Sequence, residues 1–263
     1  SKLLYRQYRG YENTDRPTKH EKALTAPVFI RMWELADTLK EKHLARLAIG
    51  AFYHAMRSCE YLKVPGERRT KVICLRNIRF FRGLRELSHA DPDLPFADAV
   101  SITFTYQKTD VRDATITMYC TGQPILCPVR AWAAIVQSVQ NLPGATENTP
   151  VCSLLQPAPQ PHPDNPGQFV QVSGKDMITL IRKAVADMGT GRLGFTPDDC
   201  GTHSIRSAAA MAMHMAGVPA YTIMLIGRWS SDAFLIYLRP QVMQFTQHVS
   251  KHMTQHSDLY TSP

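Results

Sequence analysis

The sequence lacks the features that mark several common protein classes. It has no run of ~18 apolar residues able to cross a bilayer as a helix, and no stretch that reads as a signal peptide. No membrane partner is expected. It has no internal repeat, which excludes solenoids and propellers. Its cysteines (Cys59, Cys74, Cys120, Cys127, Cys152 and Cys200) form no C-x-x-C pair and no framework spacing. A disulfide scaffold is therefore excluded, and reduced thiols of an intracellular protein are expected. Cys200-Gly-Thr-His203 has a metal-like C-x-x-H spacing and His252 and His256 lie four apart, but neither set has partners nearby. No zinc, other metal or cofactor is expected. Acidic residues are the scarcer charge: 22 against 30 Lys and Arg, for a net charge of +8 and a pI near 9.2. An excess of that sign points to a polyanionic partner.

With 263 residues and 44% apolar content, there is chain enough for one large domain or two small ones. The chain begins Ser1-Lys2 without methionine, so a segment upstream of it is expected. Residues 1–22 are polar and basic, with tyrosine and arginine interleaved in YRQYRGY. They read either as a linker lying on a phosphate backbone or as a disordered chain end. Thr25 then caps a helix with Pro27 in its first turn, and Val28, Phe29, Met32, Trp33, Ala36 and Leu39 form its apolar stripe. A second helix is predicted from about His43 to Met56. Arg57 follows directly, with Glu60 three residues on. That pair is either an ordinary intrahelical ion pair or an arginine held by a carboxylate and aimed at a phosphate.

From Gly66 to Glu86 the charge is lopsided. Arg68, Arg69, Lys71, Arg76, Arg79, Arg82 and Arg85 face only Glu67 and Glu86, with apolar residues between them. The pattern predicts strand with a wet basic face, and Arg68, Arg69, Lys71, Arg76 and Arg79 are candidate DNA contacts. Ala99–Tyr106 and Ala114–Tyr119 alternate and are rich in Thr, Ile and Val, which predicts a hairpin. Its polar tip carries Lys108, either simply solvated or a mobile general acid. Helix is predicted from Pro128 to about Gln140 and again over 173–188. Between them, 156–168 is a proline-rich loop with no assigned chemistry.

The stretch Gly201–Pro240 gathers His203, Arg206, Trp229 and Tyr237. His203 and Arg206, at i and i+3, share a helix face. Gly217 is placed to end that helix and Pro219 to open the next, which should carry Ile223, Met224, Leu225 and Ile226 into the core. A third helix, capped at Ser230 or Ser231, would hold Tyr237. The groups suit attack on a phosphodiester: a guanidinium pairs bidentately with phosphate oxygens, His and indole N–H groups add hydrogen bonds, and a phenol can be a nucleophile. After it, Val242–Met253 has helical spacing with a His-rich polar side.

Read in order, Arg57, Lys108, His203-x-x-Arg206, Trp229 and Tyr237 resemble the tyrosine recombinase (phage integrase) superfamily. "MRSCEYL", "TYQKTDVRDATITMY", "GTHSIRSAAA" and "IGRWSSDAFLIYLRP" are similar to its arginine, hairpin and two carboxy-terminal motifs. The Gly-Arg-Trp-Ser-Ser-Asp-Ala-Phe wording is most similar to recombinases of eukaryotic Crypton- and DIRS-type mobile elements. Trp229 to Tyr237 is one position shorter than in bacterial members, and Tyr221 and Tyr260 sit in no matching motif.

The resemblance implies a mixed, mainly α fold with a small antiparallel β-sheet, the catalytic domain of DNA breaking-rejoining enzymes. It implies a basic linker over 1–22, leading from a missing amino-terminal DNA-binding domain, then a catalytic domain over 23–256 and a tail over 257–263. Arg57, Lys108, His203, Arg206, Trp229 and Tyr237 would be catalytic, with Glu60 supporting. The partner would be double-stranded DNA, bound by a homodimer or homotetramer assembled on it. The activity would be strand cleavage and rejoining through a 3′-phosphotyrosine, in site-specific recombination or integration of a mobile element. A type IB topoisomerase-like relaxing activity and a domesticated, non-catalytic DNA-binding role are the alternatives. Localisation would be nuclear if the host is eukaryotic, otherwise cytoplasmic at the nucleoid.

Overall fold

The computed structural model describes residues 21–66, 70–105, 113–156 and 168–229. Its first helix, α1 (Ala26–Glu34), follows an extended Thr25 and has Pro27 in its first turn. Pro there removes an amide that would have no partner and presets φ for the helix. Val28, Phe29 and Met32 are buried along one stripe. The predicted stripe runs on to Leu39, but Leu39 is 69% exposed and opens the next helix. Local chemistry decides this. The Thr38 hydroxyl accepts the Glu41 amide at 3.1 Å and the Glu41 carboxylate accepts the Thr38 amide at 3.1 Å, a closed capping box.

That box starts α2 (Leu39–Tyr53) four residues before the expected His43. It is the central strut, packed against α1, α4 (Pro128–Gln140), α5 (Gly174–Met188) and α7 (His203–Met215). Where α2 meets α4, Gly50 faces the fully buried Trp132. A β-carbon at Gly50 would lie 2.6 Å from the indole, so only hydrogen fits there. The α4 boundaries match the pattern read from the sequence, and Ser173 caps α5 by a second box with Asp176.

The expected small sheet is present and antiparallel, in strand order β2-β1-β3-β4, with β1 (Ile78–Arg82), β2 (Arg85–Leu87), β3 (Ala99–Phe104) and β4 (Ala114–Tyr119). In β4, Ala114, Ile116 and Met118 turn inward while Thr115, Thr117 and Tyr119 face out, the alternation a half-buried strand requires. On one face Ser101 bonds Thr117 at 2.7 Å and Thr103 bonds Thr115 at 2.9 Å, matching the strand register. Residues 70–77, read as strand, instead run irregularly into a short 3-10 turn at Leu75–Asn77. A second pairing, β5 (Ser153–Gln156) with β6 (Gln168–Gln171), brackets the proline-rich segment and is not apparent from the sequence pattern.

Three short helices complete the described chain: α3 (Ser58–Tyr61), α6 (Thr190–Leu193) and α8 (Ala220–Gly227). Gly217 takes a positive φ of 72° just past α7, and Pro219 stands at the N-cap of α8, as their spacing predicts. Only Ile223 of the four apolar residues of α8 is fully buried, and Leu225 is 53% exposed. Ile223 through Ile226 are consecutive, so a helix spreads them around its axis.

Candidate functional site

The site begins where α2 ends. Ala55 takes the left-handed conformation (φ 46°), which turns the chain sharply, and Arg57 then stands extended at the N-cap of α3. The buried Glu60 carboxylate reaches back, accepting the Arg57 amide at 2.7 Å and its guanidinium at 3.2 Å. The pair is an i,i+3 ion pair, and it also fixes the arginine's direction. The Arg57 guanidinium keeps 19% of its side chain exposed and extends across to the carbonyl of Arg228 at 3.4 Å.

Arg206 approaches from the opposite wall. It lies one turn into α7, three residues after His203, which stands exposed in the first turn. The start of α7 is closed by Glu21 rather than by Thr202, whose side chain makes no capping bond. The Glu21 carboxylate accepts the Ser204 amide at 3.1 Å, and negative charge at a helix N-terminus is favourable. Gly201 lies against that carboxylate, where a β-carbon would collide.

Arg206 itself is only 2% exposed. Its two terminal nitrogens donate to the carbonyls of Ala55 and Gly227. Its guanidinium carbon sits 4.3 Å from the centre of the Trp229 ring. Gly227 ends α8, and Trp229 folds back onto it so closely that a β-carbon at Gly227 would overlap the indole. Arg57, Arg206 and Trp229, distant in sequence, are therefore joined through residues 55 and 227–229.

Arg228, between Gly227 and Trp229, is a participant that sequence reasoning missed. It has a left-handed backbone (φ 55°) and a side chain buried to 1%. Its guanidinium donates to Glu60 at 2.8 Å and to the carbonyls of His54 and Ile226 at 3.0 Å, and lies 3.6 Å over the Phe104 ring. Burial pulls its proton affinity below the usual arginine level; Glu60 opposes that shift and Arg57 adds to it. An arginine remains charged even so. Nothing in the spacing distinguishes it from its exposed neighbours. The only signal is its place inside the Gly-Arg-Trp run. Glu21, likewise missed, reads in the sequence as one acid of a polar leader.

Among the described residues, the Glu60 carboxylate holds two guanidiniums, those of Arg57 and Arg228, while Arg206 binds the carbonyls of Ala55 and Gly227 beside them. Of the expected site residues, Arg57, Glu60, Arg206 and Trp229 are brought together. His203 is exposed in the first turn of the helix that carries Arg206. Lys108 and Tyr237 lie outside the described residues.

The basic stretch is less lopsided in space than in sequence. Arg82 pairs with Asp93 at 2.7 Å and Arg85 with Asp91 at 3.1 Å, acids that lie beyond the stretch as read. Arg79 is 3.9 Å from Glu86, and Arg76 donates to Asn148. Lys71, Arg76 and Arg79 are exposed, and Lys71 and Arg76 line a hollow of about 470 Å³ beside Thr105 and Asp113, at the root of the β3–β4 hairpin. Arg68 and Arg69 lie outside the described residues. A larger hollow, about 680 Å³, lies against β5 and β6 and includes none of the arginine cluster. Among the described residues no group of three or more His, Cys, Asp or Glu could hold a metal ion. No described helix is long and apolar enough to cross a membrane.

No protein-family model matches the sequence, and no curated protein matches it. Among solved structures, the chain is similar to a complex of a Flpe mutant with a DNA Holliday junction, at 12% identity and a TM-score of 0.43, over 79% of this chain and 44% of that one. It is also similar to an FLP recombinase–Holliday junction complex, at 11% identity and a TM-score of 0.42, over 78% of this chain and 42% of that one. This chain thus spans less than half of either of those chains.

Proposed function

We propose that this chain cuts and rejoins double-stranded DNA as a tyrosine recombinase-type strand transferase. The observation that carries the reading is the convergence of Arg57 and Arg206 on one short segment, Arg206 on the carbonyl of Gly227 and Arg57 on that of Arg228. Two guanidiniums held at adjacent carbonyls are suited to the non-bridging oxygens of a phosphodiester, and would neutralise the charge that builds as a fifth oxygen approaches phosphorus. Glu60 and Arg228 hold Arg57 in place. Trp229, stacked on Arg206, would brace that guanidinium and offer its indole N–H. His203, exposed one turn before Arg206 on the same helix, would assist the phenol or bond the phosphate.

In this reading the Tyr237 oxygen attacks phosphorus and forms a 3′-phosphotyrosine, and Lys108 gives its proton to the departing 5′-oxygen. The phosphodiester energy is kept in the covalent bond, so rejoining needs no nucleotide. The setting would be site-specific recombination of a mobile element, in the nucleus of a eukaryotic host, by a homodimer or homotetramer assembled on DNA. The test is incubation with a nicked suicide substrate carrying the element's own ends, followed by peptide mapping of the protein–DNA adduct. The adduct is expected on Tyr237 and absent in Tyr237→Phe, which still binds DNA. An adduct that survives that substitution refutes the assignment of the nucleophile. Relaxation of plasmid by isolated monomers, with no joining of two sites, would make the protein a topoisomerase instead.

A further inference from the structure

The loop joining β4 to α4 holds two thiols together away from the arginine cluster. Cys120 is exposed at the end of β4, Cys127 is buried at the N-cap of α4, and their sulfur atoms are 3.6 Å apart. The loop between them is pinned. The Cys120 amide donates to Asp98 O at 2.7 Å, while the Thr121 and Tyr53 hydroxyls both donate to Leu126 O, at 2.6 and 2.8 Å. The contact is thus built into the loop. A spacing of seven in the sequence gives no hint of it.

We propose that Cys120 and Cys127 form a redox-modification site, a dithiol that a low-molecular-weight disulfide such as oxidised glutathione converts to an intramolecular disulfide. The exposed thiol reacts first: the Cys120 thiolate attacks one glutathione sulfur, forming a mixed disulfide and releasing one glutathione thiolate. The Cys127 thiolate, too buried to meet the reagent but touching its neighbour, then attacks Cys120 Sγ and expels the second glutathione. Two electrons pass from the protein to the glutathione disulfide, and the two protein thiol protons end on the two glutathiones. Burial pushes the Cys127 thiol up, but the backbone amides of Arg130 and Thr121 and the side chains of Cys120 and Thr121 together hold it below its usual value, which favours the attacking thiolate. The other thiols are poor competitors. Cys59 is buried, and burial raises Cys74 and pushes Cys152 and Cys200 to about 12 and about 11. The new bond would staple the end of β4 to the start of α4, tying the sheet to the helical core.

The experiment exposes the native protein to a glutathione redox buffer, alkylates remaining thiols, and maps tryptic peptides by mass. Residues 113–130 form one tryptic peptide holding both cysteines. The expected product is that peptide unalkylated and lighter by two hydrogens, returning to the alkylated form after treatment with dithiothreitol. Cys127→Ser should stop at a stable glutathione adduct on Cys120, and Cys120→Ser should give neither product. Three results each overturn the proposal. They are a wild-type chain that accumulates the Cys120 adduct with Cys127 still alkylatable, a disulfide to another cysteine, and no reaction under conditions where iodoacetamide labels Cys120.

Discussion

Replacing Arg228 by methionine removes a cation from a place water does not reach. The side chains of Arg228 and Glu60 are each 1% exposed, so solvent does not screen the pair. The loss leaves Glu60 with Arg57 as its remaining guanidinium partner and takes a donor from the carbonyls of His54 and Ile226. Removing one member of a buried ion pair costs about 3–5 kcal/mol when the other charge is left alone; Glu60 keeps Arg57, which places the expected cost at the lower end of that range. Glu60→Gln should cost a similar amount, since Arg228 is then the stranded charge. The double substitution strands neither. Its cost should fall short of the sum of the singles by about 2 kcal/mol or more, with a residue left from the two carbonyls. Urea unfolding of the four proteins measures this, provided the slope with denaturant stays constant across the set. Arg228→Lys, which keeps charge without the planar fork, should fall between wild type and methionine. Additivity within ~0.5 kcal/mol, or a single substitution costing less than ~1 kcal/mol, would refute the idea that this pair is the internal prop of the site.

Other outcomes follow from the same geometry. Gly227→Ala should push the indole off Arg206 at a cost of about 1–3 kcal/mol; a shifted Trp229 emission, absent in a Trp229→Phe background, is the readout. Arg206→Lys should slow strand cleavage on the order of 10²-fold or more, since an ammonium cannot span the Ala55 and Gly227 carbonyls and stack on Trp229 together; near-normal cleavage would remove Arg206 from the mechanism. Burial, assisted by Arg46 near His43 and Arg228 near His54, brings both imidazoles down to about 4 from 6.5. A base with a depressed folded pKa takes its proton more readily when unfolded, so stability is full above pH ~6.5 and falls as the pH drops toward ~4. Between pH 7.5 and 5 the loss should be about 2 kcal/mol per histidine, read from urea midpoints; a flat profile would mean that neither imidazole is held neutral.

The sequence made the local elements legible where one signal dominated. Pro128 with its apolar stripe sets α4, and the alternation of β3 and β4 sets the hairpin. It misled where two signals competed. Leu39 continues the stripe of α1 by periodicity, yet the Thr38–Glu41 box claims it for α2. Charge was legible only as a count, because the partners of Arg82 and Arg85 come from a turn the pattern did not tie to them. Within the site, Arg57, Arg206 and Trp229 were found because their types and order suggest phosphate chemistry. Arg228 was not, because an arginine that faces inward has the same letter as one that faces water. Its role depends on a left-handed backbone that no propensity predicts for arginine.

That backbone has one more consequence. Ala55 and Arg228, two of the non-glycine residues with positive φ, each turn a carbonyl toward a site arginine, Ala55 toward Arg206 and Arg228 toward Arg57. Each of these two guanidiniums thus already has an acceptor on the protein's own main chain. An incoming anion must evict a resident acceptor, an exchange that yields little for a small ion such as inorganic phosphate. A long polyanion differs, because contacts remote from the pocket can supply the free energy of eviction. On the proposed function, the two arginines would therefore favour a ligand large enough to grip the molecule elsewhere over free phosphate.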